Sequence, residues 1–257
     1  MLRYAVAGAS ALLVLFIAVP LAALYGHLVP AHYVTALGSP GALAALRISL
    51  ETTAASLALT LALGTPLAYV LARARFPGHG VIDAVVDLPI VVPPAVAGLA
   101  LLFVFGKFGI AAPALDALHV RIAFTTFAVV LAQLFVGAPF YVRAARAGFG
   151  AVDRVYEEAS ATLGMGPLRT FVRVTVPLAF PALAGGAVLA WARALGEFGA
   201  TIMFAGNLQG VTQTLPLAVY LGLESGDLDL AGALSVVLVT IALAVVALTR
   251  VLERRHA

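Results

Sequence analysis

The chain has 257 residues, of which 63% are hydrophobic and only 11% are charged, and its mean hydropathy is +1.08. Soluble domains usually contain about 45–50% apolar and roughly 25% charged residues, so this composition excludes a water-soluble globule and a disordered chain. The absence of cysteine excludes a disulfide scaffold, thiol catalysis and a cysteine-ligated metal. The composition is that of an integral membrane protein.

Six runs are long and apolar enough to cross a bilayer, which takes about 20 residues of helix. In chain order, spans are predicted at residues 5–24, 52–72, 88–106, 122–142, 178–204 and 230–249. Only the fifth contains charged residues, Arg193 and Glu197. The first run is also compatible with a signal peptide, but it is long and lacks a clean small-residue cleavage site, so an uncleaved helix is preferred. The predicted fold class is all-α, with six transmembrane helices.

The positions of lysine and arginine predict the orientation, because cytoplasmic segments carry the excess of these residues. With the N-terminus inside, eleven of the fifteen basic residues are cytoplasmic, three are outside and Arg193 lies within a span. The cytoplasmic ones are Arg3, Arg73, Arg75, Arg143, Arg146, Arg154, Arg169, Arg173, Arg250, Arg254 and Arg255. Both termini are therefore predicted to be cytoplasmic, in a bacterial inner membrane. The net charge of +3 reflects this topology and not nucleic-acid binding.

Residues 143–176 form a 34-residue polar insertion on the predicted cytoplasmic side. Long loops in compact proteins tend to be functional. Asp153 is a plausible N-cap for a helix over 154–163, and Gly164 follows where a left-handed C-cap is common. Pro167 opens a second short helix over 168–174 before Pro177 begins the fifth span. The sequence predicts two short amphipathic helices lying across the cytoplasmic face.

This insertion carries a recognisable pattern. Glu158-Ala159-Ser160, then Gly164, then Val174-Thr175-Val176-Pro177 resembles the "EAA" loop of type I ABC-importer permeases, here about residues 143–177. Ser160 stands where the second alanine usually is. Residues 65–73 and 88–94 resemble other segments of the same family, in the same order. The resemblance covers roughly residues 46–250, with an N-terminal helix and outer loop before it (1–45) and a short cytoplasmic tail after it (251–257).

The resemblance implies that the loop couples this chain to a separate ABC ATPase. The coupling candidates are Glu157, Glu158, Ala159, Ser160, Gly164 and Pro177. The chain has no Gly-x-x-x-x-Gly-Lys-Ser/Thr phosphate loop, so ATP and magnesium are expected on the partner, and neither a cofactor nor an enzymatic activity is expected here. A substrate-binding protein outside and a second permease copy, forming a homodimer, are the other implied partners besides lipid. The alternative for this segment is an amphipathic helix lying on lipid headgroups.

A second resemblance concerns the substrate. Residues 193–201, 205–207 and 212–220 resemble molybdate and tungstate permeases, and match sulfate and thiosulfate permeases less well. The implied substrate is a tetrahedral divalent oxyanion, with molybdate first. A sulfate permease and an ion-coupled secondary transporter remain alternatives, although no internal repeat supports the latter. A membrane-embedded enzyme is disfavoured because the five histidines, at 27, 32, 79, 119 and 256, are scattered.

The charges in the fifth span suggest a gate or a packing contact. Arg193 and Glu197 are spaced i,i+4, which predicts an ion pair on one helix face, and exchanging the two residues is expected to restore part of that pair. The alternative is that the two charges only neutralise each other and hold the fifth helix against a neighbouring helix. The translocation or gate candidates are Arg193, Glu197, Gly196, Gly199 and Asn207. Close helix approach is predicted at Gly185, Gly186, Gly196 and Gly199.

Overall fold

The computed structural model describes residues 2–26 and 30–256, without the side chains of residues 2, 5, 30–32, 246 and 248–256. These residues form thirteen α-helices, one π-helical turn and no strand. In chain order the helices are α1 (Leu2–Gly26), α2 (Pro30–Leu37), α3 (Pro40–Arg73), α4 (His79–Val91), α5 (Pro94–Phe105), α6 (Ala112–Ala117), α7 (Thr126–Ala151), α8 (Arg154–Thr162), α9 (Pro167–Thr170), α10 (Val176–Leu195), α11 (Gly199–Phe204), α12 (Leu215–Glu224) and α13 (Leu228–His256), with the π-helical turn (Phe171–Thr175) between α9 and α10.

Five described helices are long and apolar enough to cross a membrane, or six if α4 and α5 together count as one span. They are α1, α3, α7, the continuous helix from Pro167 to Leu195, and α13. The all-α membrane fold is confirmed. The arginines at 250, 254 and 255, on which part of the orientation rests, lie outside the described side chains.

The core is built on α7, which packs against α3 on one side and α10 on the other. The buried face of α3 is made of small and hydroxyl residues, among them Ser49, Thr52, Thr53 and Ser56. The hydroxyls of Thr52 and Thr53 donate to carbonyls one turn earlier in the same helix, each at 2.7 Å. Small residues whose polar groups are satisfied within their own helix allow neighbouring membrane helices to approach closely.

The third predicted span is wrong as a single helix. α4 and α5 are bent by 119° relative to each other. The break falls at Val92 and Pro93, which both have extended backbone, and Pro94 begins α5. A residue before proline avoids the helical region, and a proline in the first turn loses no helix hydrogen bond. The Pro93-Pro94 pair therefore accounts for the bend, whereas Pro89 is accommodated inside α4.

The fifth predicted span is also broken. α10 ends at Leu195, and α11 begins only at Gly199. Between them Phe198 has φ −126° and ψ −56°, outside the α-helical region. Irregular backbone inside a membrane is tolerated where protein buries it or where it lines a cavity. The two broken helices meet, because α5 packs against α11.

The contact between α5 and α11 depends on two glycines. A Cβ atom at Gly98 would lie 2.5 Å from the carbonyl oxygen of Ala200, and a Cβ at Gly199 would lie 2.8 Å from the Cβ of Pro94. Gly186 likewise fits closely, against Ala144. The predicted close approach is confirmed at Gly186 and Gly199. It is wrong for two other glycines, since a Cβ meets nothing within 4 Å at Gly185 and only a carbonyl oxygen at 3.7 Å at Gly196.

Replacing Gly98 with valine is expected to destabilise the protein by about 1–3 kcal/mol, because overpacking at a backbone contact forces the two helices apart. The apparent melting temperature of the purified protein in detergent measures this. Gly150→Val is the control, because a Cβ at that α7 position meets nothing within 4 Å. Equal shifts for the two variants would show that the α5–α11 contact is not close.

Candidate coupling and translocation sites

The candidate residues lie at different levels along α3 and α7. The coupling segment (residues 153–177) lies at their C-terminal ends, where Arg73 donates to the carbonyl of Val152 at 2.9 Å. The gate segment (residues 193–214) reaches their N-terminal ends, where Thr126 donates to the carbonyl of Val211 at 2.9 Å. α3 has 34 residues, and a rise of 1.5 Å per residue makes it roughly 50 Å long. The coupling segment and the Val211 end of the gate segment are therefore separated by most of this length. Arg193 and Glu197 lie nearer the middle of α7, where a Cβ at Gly137 would be 3.7 Å from the Cβ of Ala194.

Local sequence signals determine the two ends of α8. At its start, the Asp153 side chain accepts from the amide of Val155 at 3.0 Å, which is the expected N-cap. At its end, Gly164 has φ +81°. The amide of Gly164 donates to Ala161 and that of Met165 to Ser160, at 2.9 and 3.1 Å. This is a Schellman motif, so the predicted helix and its left-handed stop are confirmed.

One face of α8 is anchored to the membrane helices. The Glu157 carboxylate pairs with Arg73 of α3 at 3.1 Å and accepts from the Thr175 hydroxyl at 2.8 Å. The hydroxyls of Ser160 and Thr170 are 2.8 Å apart, and Ser160 is only 3% exposed. A serine in place of the usual alanine therefore supplies a hydrogen bond between α8 and α9. Glu157 and Ser160 hold the helix in place and do not face outward.

The other face of α8 and the turn after it are exposed. Glu158 and Ala159 point outward. Around them Tyr156, Leu163 and Leu168 are 56%, 81% and 77% exposed. Contiguous exposed apolar residues with polar neighbours are typical of a protein contact. This face, defined by Tyr156, Glu158, Ala159, Leu163 and Leu168, is here named the docking face.

The second short helix and the start of the insertion differ from the prediction. α9 leads through the π-helical turn directly into α10, so residues 167–195 form one helix and not a separate surface helix plus a span. Val176 donates to Phe171, five residues earlier. Pro177 would clash with the carbonyl four residues before it in a regular helix, and the wider π turn accommodates it. At the other end, α7 continues to Ala151, so residues 143–151 belong to that helix.

Arg193 and Glu197 form the predicted ion pair, with Nη1 and Oε2 2.7 Å apart. They do not share a helix face, because α10 ends between them. The Glu197 side chain is 1% exposed and that of Arg193 is 30% exposed. The second carboxylate oxygen of Glu197 accepts from the amide of Ala200 at 2.8 Å. Glu197 therefore caps α11 as well as pairing with α10, and this second contact was not predicted.

Asn207 belongs to a tightly bonded loop. Its side-chain oxygen accepts from Gln213 at 3.0 Å, and its amide donates to the carbonyl of Leu217 at 3.3 Å. Thr212 and Gln213 are buried, whereas Leu208 and Val211 at the tip are 48% and 45% exposed. Asn207 thus fixes the shape of the loop and leaves an apolar tip on the surface.

Sequence reasoning singles out Gln133, for which it predicts an interhelical hydrogen bond, but it missed the buried hydroxyls of Thr201 and Thr214. The Thr201 and Thr214 hydroxyls and the Gln133 side-chain oxygen are buried and have no hydrogen-bond partner among the described residues. Thr201 lies within the segment that resembles oxyanion permeases, which is the one signal that could have singled it out. No group of three or more potential metal ligands occurs among the described residues. His27 and the side chains of His32 and His256 lie outside the described residues.

Comparison with known proteins is consistent with this arrangement. Residues 64–257 match the family described as "Binding-protein-dependent transport system inner membrane component". Over 233 residues the chain is 44% identical to the molybdenum transport system permease protein of Mycobacterium tuberculosis (strain H37Rv), covering 91% of this chain and 88% of that protein. It is 35% identical over 212 residues to the probable sulfate transport system permease protein of Nephroselmis olivacea, covering 82% and 75%.

Among solved structures, a bacterial ABC transporter involved in the import of the acidic polysaccharide alginate has a similar fold. The match covers 99% of this chain and 95% of that one, with a TM-score of 0.77. At 19% sequence identity this similarity concerns the fold alone. The family match and the sequence relatives agree: the chain belongs to the family of binding-protein-dependent transport system inner membrane components.

Proposed function

We propose that this chain is the permease subunit of an ATP-driven importer for a tetrahedral oxyanion, with molybdate as the first candidate and tungstate as its close analogue. The observation that carries the proposal is the coupling segment. It combines a helix anchored to α3 through Glu157 with an outward docking face. A rigidly anchored helix with an exposed apolar face is suited to transmit force from a partner to the membrane helices.

The partner on this face would be an ABC ATPase. The chain has no phosphate-binding loop of its own. Ala159 offers a small surface for close approach, Glu158 offers a charge, and Leu163 and Leu168 offer apolar contacts. Buried apolar anchors surrounded by polar contacts are the usual basis of a stable interface. ATP and magnesium would be bound by that subunit, with the docking face oriented towards the cytoplasm together with both termini.

The substrate proposal rests on sequence similarity and on the charge of the interior. The relative with 44% identity is named for molybdenum transport, whereas the sulfate relative is 35% identical. The two charged residues of the broken fifth span, Arg193 and Glu197, are paired with each other. A dianion therefore meets no free cation there. Selection would therefore occur in a substrate-binding protein, docking at the outer loop with its apolar tip at Leu208 and Val211.

Two permease copies would form the pathway, since closed twofold symmetry is the commonest arrangement of identical subunits. An ion-coupled secondary transporter is the second candidate, and the broken helices are the specific observation in its favour, because such carriers place their sites at helix breaks. The anchored coupling segment has no role in that mechanism. The ATP-driven mechanism is therefore preferred.

Competition for uptake tests the substrate proposal. Vesicles containing the permease, its ATPase and its binding protein are supplied with labelled molybdate and excess unlabelled tungstate, sulfate or phosphate. Tungstate is expected to abolish labelled uptake, and sulfate and phosphate to leave most of it. Competition by sulfate equal to that by tungstate would exclude the molybdate assignment and leave the permease assignment standing.

A further inference from the structure

A basic pocket lies at the junction of α3, α4 and α7. It is a cavity of about 470 Å³, and its lining includes four arginines and one histidine: Arg73, Arg75, Arg146, Arg154 and His79. These residues come from four different segments of the chain. Apart from the contacts of Arg73 with Glu157 and Val152, the proposed coupling and translocation mechanism does not use this cavity.

The pocket carries an excess of positive charge. Arg146 pairs with Asp83 of α4, and Arg73 pairs with Glu157. Arg154 donates only to the carbonyl of Arg73, at 3.1 Å, and neither Arg154 nor Arg75 is ion-paired with any described side chain. Two guanidinium charges are thus uncompensated.

Arg73 adds a second indication of a ligand. Its side chain is only 12% exposed, and its Nε atom is buried without a hydrogen-bond partner in the described part of the chain. A buried donor without a partner is costly, particularly on a charged group. Guanidinium groups bind phosphate strongly, often through two parallel hydrogen bonds.

An apolar crevice lies near the basic pocket, between the same three helices and α5. It has a volume of about 310 Å³, and its lining includes Leu67, Val86, Pro89, Ala138 and Val142. The lining is almost entirely apolar.

The two cavities follow each other along the helices. On α3 the crevice is lined by Leu67, and the pocket by Leu71 one turn later. On α7 the crevice is lined by Val142, and the pocket by Arg146 one turn later. Residues four apart lie one above the other on a helix face, so the apolar crevice lies one turn from the basic pocket, towards the middle of the membrane.

We propose that this junction binds an anionic phospholipid, with its phosphate in the basic pocket and part of an acyl chain in the apolar crevice. Basic pockets between membrane helices on the cytoplasmic side are suited to lipid headgroups. A basic pocket at the end of the hydrophobic span, with an apolar crevice one helical turn away, matches a phospholipid better than a free anion, which needs no crevice. Arg154 begins α8, so the bound lipid would link the coupling helix to α3 and α7.

Native mass spectrometry of the purified chain, alone and with its ATPase, tests the proposal by counting retained lipids. The probes are phosphatidylglycerol, zwitterionic phosphatidylcholine, and glycerol 3-phosphate, which has the phosphate without acyl chains. Phosphatidylglycerol is expected to be retained when phosphatidylcholine has dissociated, with the ATPase bound or absent. Glycerol 3-phosphate is not expected to displace it.

Three variants locate the site. Combining Arg75→Gln with Arg154→Gln is expected to weaken phosphatidylglycerol binding at least about tenfold, because each arginine near an anionic lipid contributes substantially. Combining Arg169→Gln with Arg173→Gln removes the same two charges from the same side but from outside the pocket, and it is the control. Ala138→Phe fills the crevice and is expected to weaken binding of the long-chain lipid while the arginines remain.

Three results would overturn the proposal. If the Arg75/Arg154 double variant and the Arg169/Arg173 control bind phosphatidylglycerol equally, the basic pocket is not the site. If glycerol 3-phosphate displaces the lipid, or if Ala138→Phe has no effect, the pocket binds a free phosphate and not a lipid. If the ATPase displaces the lipid, the pocket is instead a contact for that protein.

Discussion

Replacing Glu197 with alanine is expected to lower the free energy of unfolding by about 2–4 kcal/mol, the largest effect of any single change in the gate segment. The substitution removes the carboxylate that pairs with Arg193 and leaves that guanidinium partly buried without its counter-ion. It also removes the acceptor for the Ala200 amide at the start of α11. The expected range lies below that of a fully buried ion pair, because Arg193 is 30% exposed and can be hydrated. The loss is measured as the shift in apparent melting temperature in detergent.

A matched control lies in α3. Arg47 and Glu51 form another i,i+4 ion pair at 2.7 Å, but their side chains are 77% and 55% exposed. Exposed pairs contribute little to stability, so Glu51→Ala is expected to leave the melting temperature nearly unchanged. Similar shifts for Glu197→Ala and Glu51→Ala would contradict the structural role of Glu197.

The structure also changes the expectation for the exchange of Arg193 and Glu197. The spacing alone predicts that the exchange restores part of the ion pair. An arginine at 197 cannot accept from the amide of Ala200, and a positive charge at a helix N-terminus is unfavourable. Glu197→Gln keeps an acceptor oxygen there, so it is expected to be more stable than the exchanged variant. The order of their melting temperatures distinguishes pairing alone from pairing plus capping.

Replacing Gly164 with valine is expected to reduce ATPase binding and uptake by about 5- to 30-fold while the membrane helices remain folded. The φ of +81° at this residue costs a residue with a Cβ about 1–2 kcal/mol, and a β-branched residue at least that. The strain falls on the Schellman turn, which sets the positions of Leu163 and Leu168 on the docking face. A distorted turn lowers the population in which both contacts are available to the partner.

Gly166→Val is the control for this prediction. Gly166 is two residues further along, has φ −71°, and has nothing within 4 Å of a Cβ position. ATPase association is measured by co-purification and uptake in reconstituted vesicles. If Gly164→Val binds the ATPase and transports as well as Gly166→Val does, the coupling role of this turn is wrong.

Local signals in the sequence were sufficient for the coupling helix. Asp153 and Gly164 each act on the backbone within three residues, so the helix and its two ends can be read without knowing what surrounds them. The apolar spans are equally local, because crossing a bilayer depends on the hydropathy of one continuous segment. The all-α membrane fold followed from these two kinds of signal.

The breaks in two spans were missed because hydropathy does not depend on helix direction. Residues 88–106 and 178–204 are apolar whether straight or bent. Pro93-Pro94 and the glycines around Glu197 mark positions where bending the helix costs little free energy. Only the packing between α5 and α11 decides that bending occurs. In the same way, the π turn before Pro177 depends on the continuity of α9 with α10.

Contacts between distant segments were beyond sequence reasoning. Glu157 bonds to Arg73 and Thr175, which are 84 and 18 residues away. The basic pocket collects arginines that were counted, from the sequence, only as indicators of the cytoplasmic side. Their convergence depends on how α3, α4 and α7 pack, which no single segment specifies.

The most direct test of the account is the energy source for uptake. Vesicles containing the permease, its ATPase and its binding protein are loaded with either ATP or a non-hydrolysable analogue, and labelled molybdate uptake is followed with and without proton and sodium gradients. Uptake is expected only with hydrolysable ATP, and collapsing the gradients should leave it unchanged. Uptake that proceeds without the ATPase and follows a proton or sodium gradient would contradict the account.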